Sequence, residues 1–138
     1  LARYRENLQA IIALARSRDV ALVWVRTTPC DERVHNRRSE GFHRFAADGV
    51  AYNEAADVIM QANGVPEIDL YTVTTNLGLS GDALYADHVH FPDHVREKQA
   101  AFIAGWLTAW DQRPTCGSRG SRLPASSMPG CPRSSRRC

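Results

Sequence analysis

Apolar residues recur every three or four positions in three segments of the chain, the spacing of one face of a helix. The first segment covers about residues 2–18, the second ends at the stop signal Asn63-Gly64, and the third covers about residues 93–110. The apolar positions of the second segment are Phe42, Phe45, Tyr52, Ala56, Ile59 and Met60. The pattern therefore predicts three amphipathic helices.

Two other segments carry apolar residues without a helical period. The run VALVWV begins at Val20, is rich in β-branched residues, and predicts a strand near 20–26 that is buried on both faces, as in a parallel sheet. PEIDLY predicts a second short strand near 66–71. Residues 27–41 are polar and rich in turn formers, and residues 72–92 are also predicted as a loop. Trp24, Trp106 and Trp110 occupy apolar positions and are predicted core residues.

This order of elements predicts the fold class. Helices that alternate with buried strands indicate a layered α/β fold in one domain, residues 1–113. Two strands alone leave a sheet edge unpaired, and open edges are normally covered or paired. We therefore expect the domain to continue before Leu1, with about three more strands.

The charges divide the chain into two parts. From Pro114 onward there are five arginines and no acid, which leaves 12 basic against 15 acidic groups in residues 1–113. An acidic body argues against a nucleic-acid binder with a basic face. Residues 114–138, with four prolines and few large apolar side chains, are expected to be a disordered tail.

No apolar run reaches the eighteen residues typical of a membrane span, so we expect none. No signal-peptide pattern is visible, which slightly favours the cytoplasm, although the expected upstream part would hold any export signal.

One short segment, GDALYADHVHF, concentrates titratable residues just before the last predicted helix. Asp87 and His90 are three residues apart, so on a turning loop the carboxylate can reach a ring nitrogen of the histidine. Histidine titrates near neutral pH and is a common general base. From the residues alone the segment is half of a hydrolytic site, a metal site, or a polar loop without a chemical role.

The longer segments YNEAADVIMQANGVPEIDLY and DHVHF, with YRENLQAII and VALVWVRTTP before them, resemble the C-terminal half of SGNH/GDSL-type esterases over about residues 4–110. The resemblance implies a flavodoxin-like fold with strand order 2-1-3-4-5, in which this chain supplies the last two strands. It also implies hydrolysis of carboxylic esters, with no cofactor and a small-molecule ester as substrate.

By that resemblance, His90 is the general base of a serine hydrolase and Asp87 orients its imidazole. The family's serine and oxyanion blocks are absent from this sequence, and none of Ser17, Ser39 and Ser80 has the context of a nucleophile. The resemblance therefore implies that the enzyme needs the upstream part of its domain and that this chain alone is inactive.

The same resemblance places the loop after the first strand over the C-terminal edge of the sheet, where open α/β folds bind ligands. Arg37, Arg38, His43 and His88 are accordingly candidate substrate-binding residues, although a solvated run of charges is the favoured explanation for Arg37, Arg38 and His43. Two other functions stay open. One is a pseudoenzyme that binds a partner along its sheet edge, and the other is a metal-dependent hydrolase that uses His88, His90 and His94.

Overall fold

The computed structural model describes residues 1–113, so the predicted tail at 114–138 lies outside the described residues. The elements, in chain order, are α1 (Ala2–Ser17), β1 (Trp24–Val25), α2 (Glu32–Arg38), α3 (Ala46–Ala62), β2 (Glu67–Ile68), α4 (Leu70–Thr75), a single 3-10 turn (Gly81–Ala83) and α5 (Asp93–Asp111). The architecture is therefore mixed α/β and mostly helical. None of these helices combines the length and apolar character needed to cross a bilayer.

The two strands lie side by side and run parallel, as the sequence predicts. Trp24 pairs with Glu67, and Val25 pairs with Ile68. Both predicted strands are too long, however. Within residues 1–113 no strand lies beside residues 20–23, and Val20 is 57 % exposed. The second strand stops because the Asp69 side chain accepts a hydrogen bond from the backbone N–H of Thr72 and begins α4.

The main core lies where α1, α3 and β1 meet. The buried residues are Leu8, Ile12, Ala56, Ile59 and Met60, and Tyr4, Leu22, Trp24 and Val65 pack around them. A second, smaller core contains Leu84, Tyr85 and Val95, and it lies beside the loop that carries the candidate residues. Burial of these side chains is the main force that fixes α1, α3 and the site-bearing loop in place.

A single arginine joins the strands to the helices at the carboxyl end of the sheet. Arg26 follows β1, and its guanidinium lies 3.0 Å from Asp69 and 3.3 Å from Asp57 on α3. Its Nε is 3.8 Å from Glu67, an electrostatic contact that is too long for a hydrogen bond. The net pKa of Arg26 is raised above its ordinary value. Burial alone would lower this pKa, but the hydrogen bond with Asp69 and the three carboxylate charges outweigh that effect.

The apolar pattern missed the two short helices α2 and α4, because each of them begins at a capping aspartate, Asp31 for α2 and Asp69 for α4. The Asp31 carboxylate accepts from the backbone N–H of Val34 at 2.9 Å and begins α2, in which only His35 is buried.

The second predicted helix begins at Ala46, not at Phe42. Residues 39–45, with Phe42 and Phe45 more than half exposed, form a loop before it.

The prediction that all three tryptophans lie in the core is wrong. Trp24 packs against the main core but is only partly buried. Trp106 and Trp110 are half-buried on α5 and stack on one another, with ring centroids 6.0 Å apart. The guanidinium of Arg113 lies over both rings. These aromatic rings therefore form a surface pair.

A matched pair of substitutions on α1 tests the main core. Ile12 is 3 % exposed, whereas its neighbour Ile11 is 51 % exposed. Ile12→Ala should lower the free energy of unfolding by about 2–5 kcal/mol, and Ile11→Ala should change it by less than about 0.5 kcal/mol. Urea unfolding followed by circular dichroism measures both. Equal losses for the two variants would contradict this packing of α1.

Candidate functional site

A tight loop presents the Asp87 and His90 side chains. The loop closes with a hydrogen bond from the backbone N–H of Ala86 to the carbonyl of His90, at 2.8 Å. Oδ1 of Asp87 accepts from the backbone N–H groups of His88, Val89 (2.8 Å) and His90 (2.9 Å). Asp87 therefore organises its own loop, as aspartates in turns commonly do.

The second carboxylate oxygen of Asp87 faces the histidine. Oδ2 of Asp87 lies 2.6 Å from Nδ1 of His90. This distance lies within hydrogen-bonding range, as the spacing of the two residues suggested. The carboxylate of a loop-forming aspartate thus serves two purposes, since one oxygen holds the backbone and the other holds the imidazole.

The hydrogen bonds around Asp87 determine its charge. The hydrogen bond from His90, together with the three backbone N–H groups, lowers the pKa of the Asp87 carboxyl far below its ordinary value. Each donor stabilises the ionised form more than the protonated form. Asp87 is therefore an anion throughout the neutral and mildly acidic range.

The pairing also determines which nitrogen of His90 is available. A carboxylate only accepts, so neutral His90 carries its proton on Nδ1, and Nε2 is left with a free lone pair. The His90 side chain is 78 % exposed, and Nε2 has no hydrogen-bond partner within residues 1–113. A neutral imidazole in this state can take a proton from a group placed beside Nε2.

The site loop is anchored to the rest of the fold on two sides. Below it, Tyr85 stacks on Phe91, with ring centroids 5.5 Å apart, in the smaller core. Beside it, the backbone N–H of Asp31 donates to the carbonyl of His88 at 2.9 Å. The Asp87–His90 pair is therefore fixed relative to the loop that leaves β1.

The other histidines of the segment point elsewhere. His88 packs against the ring of His35, with centroids 4.7 Å apart, and Nε2 of His94 donates to the carbonyl of Ala83 at 3.0 Å. Within residues 1–113 no group of three or more His, Cys, Asp or Glu side chains is arranged to hold a metal ion. The metal-dependent alternative therefore has no cluster of ligands in this part of the chain.

The serines of residues 1–113 do not approach His90 by hydrogen bonding. The Ser17 hydroxyl donates to the carbonyl of Leu14, and the Ser39 hydroxyl accepts from the backbone N–H of Phe42. Ser80 is exposed and precedes the 3-10 turn. In this part of the chain no serine hydroxyl is hydrogen-bonded to the imidazole of His90.

Three of the four candidate substrate-binding residues divide into two sets, and the fourth, His88, packs against His35 outside the cavity. His43 lines a cavity of about 320 Å³ beside the loop that follows β1. Arg37 and Arg38 lie on the exposed side of α2, outside this cavity, and their side chains make no hydrogen bond or ion pair within the described residues. The structure thus brings His43 to a concave surface and leaves the two arginines in solvent.

A buried asparagine that the sequence analysis missed positions the start of this loop. Asn53 on α3 is 1 % exposed, and its amide both accepts from the backbone N–H and donates to the carbonyl of Thr27, each at 2.9 Å. Its position offered a signal, since Asn53 precedes the buried Ala56 and Met60 by three and seven residues. A polar residue in a buried helix register indicates a specific hydrogen-bonding role.

The acid sensitivity of the Asp87 interactions can be measured with Asp87→Asn. Because the pKa of Asp87 is lower in the folded chain than its ordinary value of about 3.9, its stabilising effect is present above that value and is lost as pH falls further. The stability difference between the original chain and the variant should be fully present above about pH 5 and should shrink below about pH 4.

Urea unfolding across this pH range supplies the measurement. Asp82→Asn removes an exposed carboxylate with no hydrogen bond of its side chain within residues 1–113, and it should change stability by less than about 0.5 kcal/mol. A difference for Asp87→Asn that stays constant down to pH 2 would show that the carboxylate is not held as described.

Comparison of the chain with protein-family models, with curated proteins and with solved structures finds no match in any of the three. The geometry of Asp87 and His90 therefore carries the functional argument by itself.

Proposed function

We propose that this chain carries the Asp–His half of a serine-type carboxylic ester hydrolase of the SGNH kind. The contact between Oδ2 of Asp87 and Nδ1 of His90 at 2.6 Å, with Nε2 of His90 open to solvent, carries the proposal. An ionised carboxylate on one ring nitrogen and a free lone pair on the other are the features that a general-base histidine needs.

In the proposed reaction, Nε2 of His90 takes the proton from a serine hydroxyl as the serine oxygen bonds to the ester carbonyl carbon. The ester C–O bond then breaks, and His90 returns that proton to the departing alcohol. Water attacks the acyl-serine in the same way, with His90 again as base, and releases the carboxylic acid. Asp87 stays ionised, holds the ring by Nδ1, and stabilises the imidazolium in each half-reaction.

The serine of this reaction is assigned to further strands of the same domain, in a flavodoxin-like sheet of order 2-1-3-4-5. In that arrangement β1 and β2 are the last two strands, and the next strand pairs along the free edge of β1. Several large apolar side chains stay exposed in residues 1–113, and Val25 on β1 is 38 % exposed. Such surface supports a missing partner, since exposed apolar patches typically mark interaction sites.

The second candidate is an inactive remnant of such an enzyme, which only binds a partner along the open edge of the sheet. The observation in its favour is that no serine of residues 1–113 makes a hydrogen bond to His90. The two candidates share the same Asp–His geometry and differ in whether a nucleophile is ever placed beside Nε2. A test of activity therefore has to include the sequence upstream.

We expect the 138-residue chain to hydrolyse nitrophenyl acetate no faster than its own His90→Ala variant, because its sequence lacks the serine and oxyanion blocks of the family. A longer chain, extended upstream to include a G-D-S block, should be active. In that longer chain His90→Ala should reduce kcat/KM by about 10³-fold or more, since triad members act as a unit.

The outcome of this comparison discriminates the candidates. An inactive longer chain with an intact G-D-S block supports the remnant. Turnover by the 138-residue chain that disappears in His90→Ala would show that the nucleophile lies within it, and Ser80→Ala would then be the first variant to measure. Lys98→Ala, on the exposed side of α5, is the control that should leave the activity of the longer chain unchanged.

A further inference from the structure

The cavity of about 320 Å³ lies between the loop that leaves β1 and the first turn of α3. Pro29 and Cys30 contribute one wall, Gly49 on α3 contributes another, and Tyr71 on α4 also lines it. Pockets of at least about 300 Å³ with mainly apolar and aromatic walls are the usual size for small-molecule sites.

The rim of the cavity is aromatic and faces solvent. Phe42 and Phe45 both line it, and they are 57 % and 53 % exposed. Arg44 also lines the cavity, and its guanidinium lies 5.2 Å from the centre of the Phe42 ring. Two exposed phenylalanines at the mouth of a cavity cost solvation free energy in the empty protein, which a bound apolar group would recover.

Helix α2 holds this rim in place through polar side chains. The Asn36 amide both donates to the carbonyl and accepts from the backbone N–H of Arg44, each at 2.8 Å. Glu32 accepts from the backbone N–H of Ala46 at 2.6 Å, and Nε2 of His35 donates to the carbonyl of Phe42 at 3.2 Å. The rim is therefore organised before any ligand binds, which lowers the entropic cost of binding.

The cavity is also physically connected to the candidate catalytic loop. His35 lies between them, with its ring 5.0 Å from that of Phe42 and 4.7 Å from that of His88. On the other side, the hydrogen bond from Asp31 to the carbonyl of His88 follows directly after Cys30 in the cavity wall. A ligand held in the cavity is thus next to the loop that carries Asp87 and His90.

We propose that this cavity binds an aromatic ring of the ester substrate, an inference that rests on the proposed function. Phe42, Phe45 and Tyr71 supply three aromatic side chains around a space that has room for a substituted ring. Edge-to-face and offset contacts between aromatic rings stabilise such a ligand beyond the burial of its area.

Binding of phenylacetamide to the 138-residue chain, followed by NMR, tests the proposal without any need for turnover. We expect saturable shifts of the Phe42, Phe45 and Tyr71 ring signals. Cyclohexylacetamide, which has a similar size but no aromatic ring, should bind about two- to tenfold more weakly. Methyl glucoside should not bind. A glucoside that binds as tightly as phenylacetamide would overturn the aromatic assignment.

Two glycines provide a matched pair of variants. Gly49 lines the cavity within α3, Gly105 lies on α5, and a Cβ built at either position meets no atom within 4 Å. Both substitutions to leucine improve helix propensity, so neither should lower the melting temperature. Gly49→Leu should abolish phenylacetamide binding and Gly105→Leu should leave it unchanged. Unchanged phenylacetamide binding in Gly49→Leu would exclude this cavity as the binding site.

Asn36→Ala serves as a second, independent variant. It removes the two hydrogen bonds that hold Arg44 and should weaken phenylacetamide binding although it adds no atoms to the cavity. His90→Ala should bind phenylacetamide like the original chain, because His90 does not line the cavity. A failure of the cavity proposal is therefore visible independently of whether the Asp87–His90 pair supports ester hydrolysis.

Discussion

The ion pairs of Arg26 are the interactions on which the arrangement of the strands and helices in this small fold depends. Only two residue pairs join the strands, so backbone hydrogen bonding alone fixes their relative position weakly. The partly buried guanidinium is shared by carboxylates from α3, from β2 and from the start of α4. Loss of one carboxylate would leave charge in a partly desolvated position, where unpaired charges are costly. The carboxyl end of the sheet is therefore held by ion pairs in addition to the apolar packing of the core.

A series of hydrogen bonds connects Arg26 to the candidate site along the chain. Immediately after Arg26, Asn53 holds the backbone of Thr27, and four residues later Asp31 both begins α2 and hydrogen-bonds the loop that carries His88. Asp87 then uses one oxygen for its own loop and the other for His90. Side chains satisfy the backbone groups of Thr27, of the start of α2 and of the Asp87 loop, and a backbone hydrogen bond joins Asp31 to His88. Rigidity at the candidate pair thus originates in loops tied to one another, with α2 as a common support.

The sequence predicted the parts of this arrangement that depend on local spacing. The helices with an apolar period were located to within a few residues, and the contact between Asp87 and His90 follows from a separation of three residues on a turn. Strands and helices whose limits depend on a neighbouring segment of the fold were less predictable. The apolar run from Val20 suggests a long strand, but only the residues opposite Glu67 and Ile68 are paired. Helix α2 has almost no apolar face, and its cap and its contacts with Arg44 appear only in three dimensions.

The ring nitrogens of His90 provide the most direct measurement of the central claim, that Asp87 fixes His90 as a general base. In nitrogen-15 NMR at about pH 8, where an ordinary histidine is neutral, His90 should carry its proton on Nδ1 and none on Nε2, and Asp87→Asn should change this state. His94 is an internal reference of the opposite kind, because its Nε2 donates to the carbonyl of Ala83. A His90 ring protonated on Nε2, or one that Asp87→Asn leaves unchanged, would contradict the account.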